Sequence, residues 1–433
     1  MKRISTFSLI ALVISCQLGV GVFMLPAYFA RHASIGLFGW VIAGSVAMCL
    51  ALIFAKLFTL FPDRAGVHVY VEAAFGRQCA FLIGWSYWII SVISNTALIV
   101  TAIGYLSSVF GSLSTFKVIL LEFCMLMIVF LINLFGIGAA GIYGLFLVIL
   151  KVIPLICIPI LGLYLKFNYE HFIPFISDGE NVWKVLQKTS FLAMWSFIGV
   201  EAITAPSISV QGSSKNVPKA IFWGTLSLVA LYFINSVGVR AVVPVSVLAD
   251  SAAPYSEAAK AIFVNAGRID VIISFIAVIV CLNNLNAWTL SGGHLASNLA
   301  DDGFFPSIFA KKNKYGAPYV SMFIASLLVF VFLVFCLQKR FIDQLELVID
   351  VSVIIFLLVY AMCAVSLCLI LAKKNRKISC RYAFMGLYVV VFSIFGICSN
   401  DIKTVIFAIL AFLFSSAPLY IYLYLQRRKQ GAR

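Results

Sequence analysis

An apolar run near the N-terminus contains two glycines and a proline where a membrane-spanning helix should continue, in the segment 19–26 (GVGVFMLP). A second apolar run is interrupted in a similar way in the segment 195–201 (WSFIGVE), which also carries a carboxylate. Because bilayer hydrocarbon cannot hydrogen-bond free N–H and C=O groups, an interrupted backbone at that depth must be buried in protein or line a cavity. This pair of breaks constrains the fold more than any other feature.

The composition is that of a membrane protein. Of the 433 residues, 63% are hydrophobic and 11% are charged, and the mean hydropathy of +1.09 lies far above that of a soluble domain. Apolar stretches of about 20 residues, each long enough to cross a hydrocarbon core of ~30 Å, recur along the whole chain. We predict an all-α membrane protein with twelve transmembrane helices at 5–30, 36–62, 79–110, 116–135, 139–165, 187–209, 218–243, 268–298, 318–338, 344–372, 381–399 and 401–425.

The stretches 5–30 and 187–209 are the interrupted pair. The first is too long for a cleavable signal peptide and lacks a small-residue cleavage site, so we expect it to span the membrane. The longest polar stretches, near 166–186 and 245–267, fit external loops with short surface helices. We therefore expect a single transmembrane domain over residues 1–433.

The net charge of +15 indicates orientation in the membrane. With twelve spans and a cytoplasmic N-terminus, 18 of the 31 lysines and arginines fall inside and 11 outside, and Lys56 and Lys151 fall within spans. This asymmetry follows the positive-inside rule and predicts that both termini are cytoplasmic. Nothing else in the sequence suggests a nucleic-acid partner, so the expected surroundings of the chain are the lipid bilayer.

Cysteine and histidine spacing argues against an enzyme or a metal protein. The eleven cysteines have no CxxC spacing and lie mostly in apolar spans, where small-residue packing is the default. The four histidines are scattered without HExxH spacing, and no GxSxG motif is present. We expect no metal, no cofactor and no catalytic residues.

The two breaks free backbone groups of both polarities. A helix that restarts at Gly21 presents unpaired N–H groups and a positive dipole end, which suit a carboxylate. The carbonyls of the preceding half-helix, from Gln17 to Gly19, and those near Trp195 and Ile198 can accept hydrogen bonds from an ammonium. Such a site suits an amino acid. Glycine-mediated helix packing is the alternative for either break alone, but paired breaks in two halves are typical of a transporter.

At these residues the chain resembles the amino acid–polyamine–organocation (APC) superfamily, and most closely its basic amino acid/polyamine antiporters of the arginine/agmatine type. The resemblance runs from Gly19 to about Val320. It rests on five motifs in order: GVGVFMLP at 19–26, WSFIGVE at 195–201, NVPKA at 216–220, AWTL at 287–290 and ADDGFFP at 300–306.

The resemblance implies the fold of the superfamily, a LeuT-type 5+5 inverted repeat in which helices 1 and 6 are broken. The repeats would cover about 5–165 and 187–372, with two extra helices at about 381–425. It also implies a multi-pass protein of the bacterial cytoplasmic (inner) membrane. The resemblance leaves open whether the protein forms a homodimer.

Carried over residue by residue, the resemblance implies how the main chain holds a substrate. The carboxylate would lie at Val20 and the Gly21 amide, and the α-ammonium on carbonyls of Gln17, Trp195 and Ile198. Two departures stand beside the first break. Val20 replaces the usual serine, which removes a hydroxyl contact to the carboxylate, and Cys16 replaces the asparagine expected there.

The side chain of the substrate would extend along Trp288 toward Ser91 and Asn95 on the third span, where Ile90 replaces a smaller residue. The aromatic ring of Trp288 offers a face for a cationic or aliphatic group. The alternative is that it only packs against other helices, which is the commoner role of a lone tryptophan in a span. Asn95 can bind a head group or join two helices.

Three further residues are predicted to gate or couple transport. By the resemblance, Trp195 is a middle gate, Tyr87 belongs to the gating layer, and Glu201 is tied to the conformational cycle. A carboxylate at membrane depth is functional by default, and the alternative for Glu201 is a structural hydrogen bond to freed N–H groups. Asp350 and Glu122 also lie in spans, and the sequence assigns neither a partner.

Lys151 lies near the middle of the fifth span, too deep to reach the interface easily. The arginine/agmatine-type exchangers usually lack this lysine, whereas proton-coupled amino acid permeases of the superfamily carry one in a Lys-x-x-Pro setting. Burial disfavours the charged form of a lysine, which brings proton release within reach. The alternative is a permanently charged lysine that caps helix carbonyls.

The sequence therefore predicts a secondary amino acid transporter that works by alternating access. We expect exchange of a basic amino acid for a related amine or amino acid, of the arginine/agmatine or ornithine/putrescine type. Proton-coupled uptake through Lys151 is the competing mechanism. A non-transporting membrane receptor or accessory subunit is the alternative from another class, since a fold can persist when transport is lost.

Overall fold

The fold is taken from a computed structural model of the chain. It describes residues 10, 13–14, 17–19, 21–61, 66–135, 140–176, 179–201, 213–263, 268–337, 341–373, 380–406, 408–410, 416–417 and 420–421. Within these ranges the side chains of 140–150, 213–215, 336 and 341–345 are not described.

The described residues are helical, with no strand among them. Nine of the twelve predicted stretches match a single α-helix to within five residues at each end. The α-helices are α1 (Gly21–Ala30), α2 (Gly39–Leu60), α3 (Val67–Phe75), α4 (Arg77–Phe110), α5 (Thr115–Asn133), α6 (Ala140–Leu165), α7 (Val182–Met194), α8 (Ser213–Val242), α9 (Val245–Ala249), α10 (Pro254–Ile262), α11 (Ile269–Asp301), α12 (Tyr319–Cys336), α13 (Phe341–Lys373) and α14 (Cys380–Ile397).

Several of these helices can span a bilayer. Seven segments of the described chain are long and apolar enough, at 34–60, 77–110, 115–133, 216–242, 269–301, 346–373 and 380–397. Shorter apolar helices lie at 21–30, 151–165 and 319–335. The chain is an all-helical integral membrane protein. Of the predicted twelfth span, at 401–425, 12 of the 25 residues lie outside the described part of the chain.

The contacts divide the chain into two compact units. The first comprises Met1–Ile83, Val152–Ile273 and Phe356–Asp401. The second comprises Gly84–Lys151, Ser274–Ile355 and Ile402–Arg433.

In the first unit, α2 packs against α7, α8 and α14, and its contact with α8 is very close. A Cβ atom added at Gly44 of α2 would lie only 2.6 Å from Cγ1 of Val229 on α8. Trp40 is fully buried between these helices, and its indole N–H donates a hydrogen bond of 2.7 Å to Ser236 Oγ. Glycine and tryptophan together thus fix the distance between α2 and α8.

Helix α10, in the predicted external loop, is more deeply packed than a surface helix. Tyr255 is fully buried, its ring centroid lies 4.8 Å from that of Phe23 on α1, and its hydroxyl donates to Asn235 Oδ1 on α8. The loop at 245–267 therefore anchors α1, the helix that begins at the first predicted break.

In the second unit, α5 packs against α12 through aromatic pairs, Phe123 with Phe330 and Phe130 with Phe323. Polar contacts also join its helices. The Asn133 side-chain amide donates a 2.8 Å hydrogen bond to Asn286 Oδ1 on α11. Buried amides of this kind hold helices together where lipid provides no hydrophobic driving force.

Candidate functional site

The first predicted break is present at the predicted place. Gln17 is helical, Leu18 and Gly19 are in no regular element, and the next helix begins at Gly21. Val20 lies outside the described residues. The N-terminus of α1 is therefore formed inside the protein, with Gly21 itself buried.

The second predicted break is also present. Helix α7 ends at Met194, residues 195–197 form a single 3-10 turn, and Ile198 is extended with φ −61° and ψ 136°. Gly199 has a φ of +102°, a region that residues with a Cβ atom avoid. This glycine lets the chain leave the helix axis. The continuation at 202–212 lies outside the described residues.

The two breaks meet at Gly21. A Cβ atom added there would lie 2.5 Å from Ser196 Oγ and 3.0 Å from Cε3 of the Trp195 ring. Only glycine allows the start of α1 to approach the second break this closely. The fold thus brings together two segments that are about 175 residues apart in the sequence.

A tyrosine of α8 links the two breaks. The Tyr232 hydroxyl lies 3.0 Å from the carbonyl oxygen of Gln17 and 3.2 Å from that of Ser196, within donating distance of both. Seven residues earlier on α8, Thr225 Oγ1 accepts a 3.1 Å hydrogen bond from the Gln17 side-chain amide. Residues seven apart lie on the same face of a helix, so this face of α8 binds Gln17 by both backbone and side chain.

These contacts change what the Gln17 carbonyl can offer to an ammonium. Besides the Tyr232 hydroxyl, it accepts a 2.7 Å hydrogen bond from the Gly19 N–H. A carbonyl oxygen has two lone pairs, and both already have a donor here. The Trp195 carbonyl accepts the Ile198 N–H at 3.3 Å. In the state that the structure represents, an ammonium would have to share or displace one of these donors.

Glu201 is 5% exposed and its Oε2 accepts a 2.8 Å hydrogen bond from the Tyr360 hydroxyl on α13. The same hydroxyl oxygen accepts from the Gly199 N–H at 3.4 Å. The Tyr360 ring packs against Phe54 and Phe356. The carboxylate predicted to take part in the conformational cycle is thus tied to the second break through one tyrosine.

The second unit contains the residues predicted to contact the substrate side chain. Ser91 and Asn95 lie on α4, facing α11: a Cβ at Gly292 would lie 2.6 Å from Ser91 Oγ, and the Asn95 amide donates to Thr289 Oγ1 at 3.5 Å. Trp288, beside Thr289, is half-buried. Ser91 Oγ also donates to the Trp88 carbonyl at 2.6 Å.

One polar atom of Asn95 has no partner among the described residues. It is 3% exposed, and its Oδ1 accepts no hydrogen bond from any described residue. A buried acceptor without a donor costs free energy. This oxygen is therefore suited to a donor supplied by a ligand.

Tyr87 and Lys151, predicted to gate and to couple, also belong to the second unit. Tyr87 is half-buried on α4. Lys151 is 2% exposed on α6.

Sequence reasoning missed Tyr232, Thr225 and Tyr360. A tyrosine in an apolar span usually indicates packing, and none of these residues lies in one of the five family motifs. The one available signal was the spacing of seven between Thr225 and Tyr232, which places two hydroxyls on one helix face.

Comparison with known proteins agrees with this architecture. The model of the amino acid permease family matches residues 4–424, so the chain belongs to that family. It is 25% identical over 398 residues to the putrescine transporter PotE of Escherichia coli K12, covering 89% of each chain. It is 27% identical to a putative arginine/ornithine antiporter of Bacillus subtilis, covering 84% of this chain and 83% of that protein. It is also 27% identical to the cadaverine/lysine antiporter of E. coli K12, covering 75% of this chain and 73% of that protein.

The family and the names of these relatives are those of transporters. The predicted resemblance to APC transporters of basic amino acids and polyamines is confirmed, as is the expectation that the chain is not an enzyme.

Proposed function

We propose that this chain is an antiporter that exchanges a basic amino acid for a related amine across the membrane by alternating access. The three relatives are named for substrates that share a cationic nitrogen group, a primary amine or the guanidinium of arginine, on a short aliphatic chain. Ornithine and lysine carry an α-carboxylate that putrescine and cadaverine lack, whereas both ammonium groups are common to the amino acid and its diamine. A site for such a pair must bind the shared ammonium groups and tolerate the loss of the carboxylate.

The observation that carries this proposal is the meeting of the two helix breaks at Gly21 and Ser196. The start of α1 offers N–H groups and a positive dipole end to a carboxylate. The broken backbone of the second segment offers carbonyl oxygens to an ammonium. We therefore keep the assignment of Val20 and the Gly21 amide to the carboxylate, and of the Gln17, Trp195 and Ile198 carbonyls to the α-ammonium.

The side-chain amine is assigned to the second unit. Asn95 Oδ1 is buried and has no donor among the described residues, and Trp288 directly precedes Thr289, which Asn95 contacts. A carbonyl oxygen and an aromatic face together favour an alkylammonium, for which a cation–π contact adds ~0.5–2 kcal/mol. This arrangement would hold the group that an amino acid and its amine product have in common.

The membrane topology is proposed with the function. It comprises twelve spans in one domain over 1–433, a 5+5 inverted repeat at 5–165 and 187–372, two further helices, and both termini in the cytoplasm. We place the chain in the bacterial inner membrane, surrounded by lipid. A homodimer is tested by measuring the mass of the purified protein in lipid nanodiscs.

A second candidate mechanism is favoured by one observation. Lys151 is 2% exposed on a membrane-spanning helix, where a permanent charge is costly. Proton-coupled uptake, with Lys151 gaining and losing the coupling proton, would explain why a lysine is present there.

Counterflow in proteoliposomes tests the proposal. Vesicles of purified protein loaded with unlabelled ornithine should take up labelled putrescine, and empty vesicles should take up little. Uptake that is equal with and without internal substrate, and that follows an imposed pH gradient, would contradict exchange and favour the proton-coupled mechanism. Binding of these substrates without transport would favour the receptor or accessory-subunit alternative.

A further inference from the structure

A cavity of about 300 Å³ lies in the second unit, and none of its lining residues is among those assigned to the substrate. Its wall is formed by the last turns of α4, the loop 111–114, the first turns of α5 and the residue that follows α12. The lining residues are Val100, Ile103, Ser107, Ser112, Leu113, Thr115, Val118, Glu122 and Leu337. The volume is at the lower end of the range of small-molecule sites, about 300–1,000 Å³.

The cavity contains a carboxylate that has no use in the mechanism described above. Glu122, on α5, is 3% exposed, and its Oε2 accepts no hydrogen bond from the described part of the chain. A buried acceptor normally has a donor, and a charged side chain at membrane depth is retained where it has a role. A ligand that carries a hydrogen-bond donor would satisfy this oxygen.

The rest of the lining is suited to an organic cation. Ser107 donates its hydroxyl hydrogen to the Ile103 carbonyl at 2.7 Å, which leaves its oxygen able to accept. Ser112 and Thr115 add two more hydroxyls, whereas Val100 and Leu113 present apolar surface. An ammonium with three donors matches the carboxylate and the hydroxyl oxygens, and an aliphatic chain matches the apolar wall. A bare metal ion would leave that wall without a partner.

We propose that this cavity is a second site for a primary alkylammonium, in which Glu122 binds the ammonium group. The inference rests on the proposed function, because the alkylammonium meant here is the transported amine itself. Along α4, Ser107 is twelve residues beyond Asn95, which corresponds to ~18 Å of helix. In the proposed topology this end of α4 faces the outside, so the site would receive an amine that arrives from that side.

Equilibrium binding to the full chain tests this proposal. Purified protein in nanodiscs is titrated with radiolabelled putrescine, and the number of bound molecules per chain is counted. We expect two for the wild type and one for Glu122→Gln, with affinity at the lost site falling by about tenfold or more, as for loss of a hydrogen bond between charged groups. Glu122→Gln keeps the shape of the side chain and an acceptor oxygen.

Two further variants keep the result interpretable. Ser112→Phe fills the cavity from an exposed loop position without removing the carboxylate, and should also reduce the count to one. Glu170→Gln removes an exposed carboxylate in the first unit, and should leave the count at two. Thermal unfolding measured on each sample shows whether the variants are folded.

Several outcomes would overturn the inference. A count of one in both the wild type and folded Glu122→Gln, or a count of two in folded Glu122→Gln, would show that Glu122 does not bind the amine. Competition by Na⁺ but not by ornithine or cadaverine would show an inorganic cation site. The proposed function fails separately: if wild-type proteoliposomes show no counterflow, exchange is wrong whatever the binding count.

Discussion

The hydroxyl of Tyr232 lies 3.0 Å from the carbonyl oxygen of Gln17, which is the last residue before the first helix break. The same hydroxyl lies 3.2 Å from the carbonyl oxygen of Ser196 in the second break. A single O–H can serve either carbonyl, so one side chain on α8 holds both ends of the interrupted backbone together. The Tyr232 ring is fixed in turn by Trp40 and Phe197, at centroid distances of 5.1 and 5.3 Å.

We predict that Tyr232→Phe slows transport. The change removes the hydroxyl but keeps the ring, and it leaves a buried carbonyl without a donor, at a cost of about 1–3 kcal/mol. If the two breaks move together during the cycle, turnover should fall several-fold while the amount of folded protein falls little. The rate and KM of putrescine counterflow are measured at saturating internal ornithine.

Tyr388→Phe is the matched control for Tyr232→Phe. Tyr388 also contacts another helix through its hydroxyl, with Ser45 Oγ at 2.7 Å, but that pair is exposed. Its loss should leave transport unchanged. Equal effects of the two changes would show that the Tyr232 hydroxyl has no special role at the breaks.

We predict that Gly21→Ala abolishes most transport whereas Gly19→Ala is tolerated. A Cβ atom at Gly21 would lie 2.5 Å from Ser196 Oγ and 3.0 Å from the Trp195 ring, while one at Gly19 would meet only the Gln17 carbonyl, at 3.9 Å. The two variants have the same chemistry and differ only in what the methyl group meets. Uptake normalised to folded protein is compared, and Ser196→Gly should partly restore Gly21→Ala. Similar loss in both variants would contradict a close approach at Gly21.

The sequence predicted the two breaks well because glycine and proline in an apolar run act on the backbone locally, whatever packs around them. The start of α1 at Gly21 and the end of α7 just before Trp195 follow from the same backbone rules that made the prediction. What the sequence did not reveal is how the freed carbonyls are satisfied. That depends on which turn of α8 lies opposite Gln17, which is a property of tertiary packing and not of local pattern.

The same limit applies to Asn95 and Glu122. Both were identifiable as polar residues in spans, but an asparagine in a span is equally consistent with an interhelical contact. Only the packing of α4 against α11 shows that the Asn95 amide nitrogen has a partner while its oxygen has none among the described residues. Likewise, the cavity that Glu122 lines is formed by the stretch 100–122 together with the distant Leu337, and the sequence gives no signal that these meet.

We predict that Glu201 and Tyr360 act as a unit. Their hydrogen bond of 2.8 Å joins the second break to α13. Turnover should fall in Glu201→Leu and in Tyr360→Phe, and the double variant should be little slower than either, giving a coupling of about 0.5–3 kcal/mol in the double-mutant cycle. Transport rates of the four proteins provide the measurement. Additive losses would mean that the two residues affect transport independently.

We predict that Asn95 selects for the side-chain amine. Its Oδ1 is buried without a described donor, so Asn95→Leu should weaken competition by putrescine and cadaverine about tenfold, the effect expected for one hydrogen bond to a charged group. Competition by an amino acid without a side-chain amine should change little. Thr101→Val is the control, because Thr101 is buried on the same helix and donates only to its own backbone, at the Ala97 carbonyl. A uniform loss for all competitors would contradict the assignment.

We predict that Lys151 supports the fold and does not carry a coupling proton. The side chain is 2% exposed on α6. Lys151→Met keeps the length of the side chain and removes the charge, so the partners of the ammonium lose a donor and the protein should be less stable, by about 1–3 kcal/mol. Lys151→Arg keeps a positive charge, because an arginine does not lose its proton in the physiological pH range.

If the chain is an exchanger, the surviving protein of both variants should show the same dependence of counterflow on external pH as the wild type. If Lys151 releases and rebinds the coupling proton, both variants should be insensitive to pH and slow in net uptake, because each is locked in one charge state. Comparing the three pH–uptake curves, each normalised to folded protein, therefore separates the two mechanisms, and a flat curve for both variants would replace exchange with proton coupling.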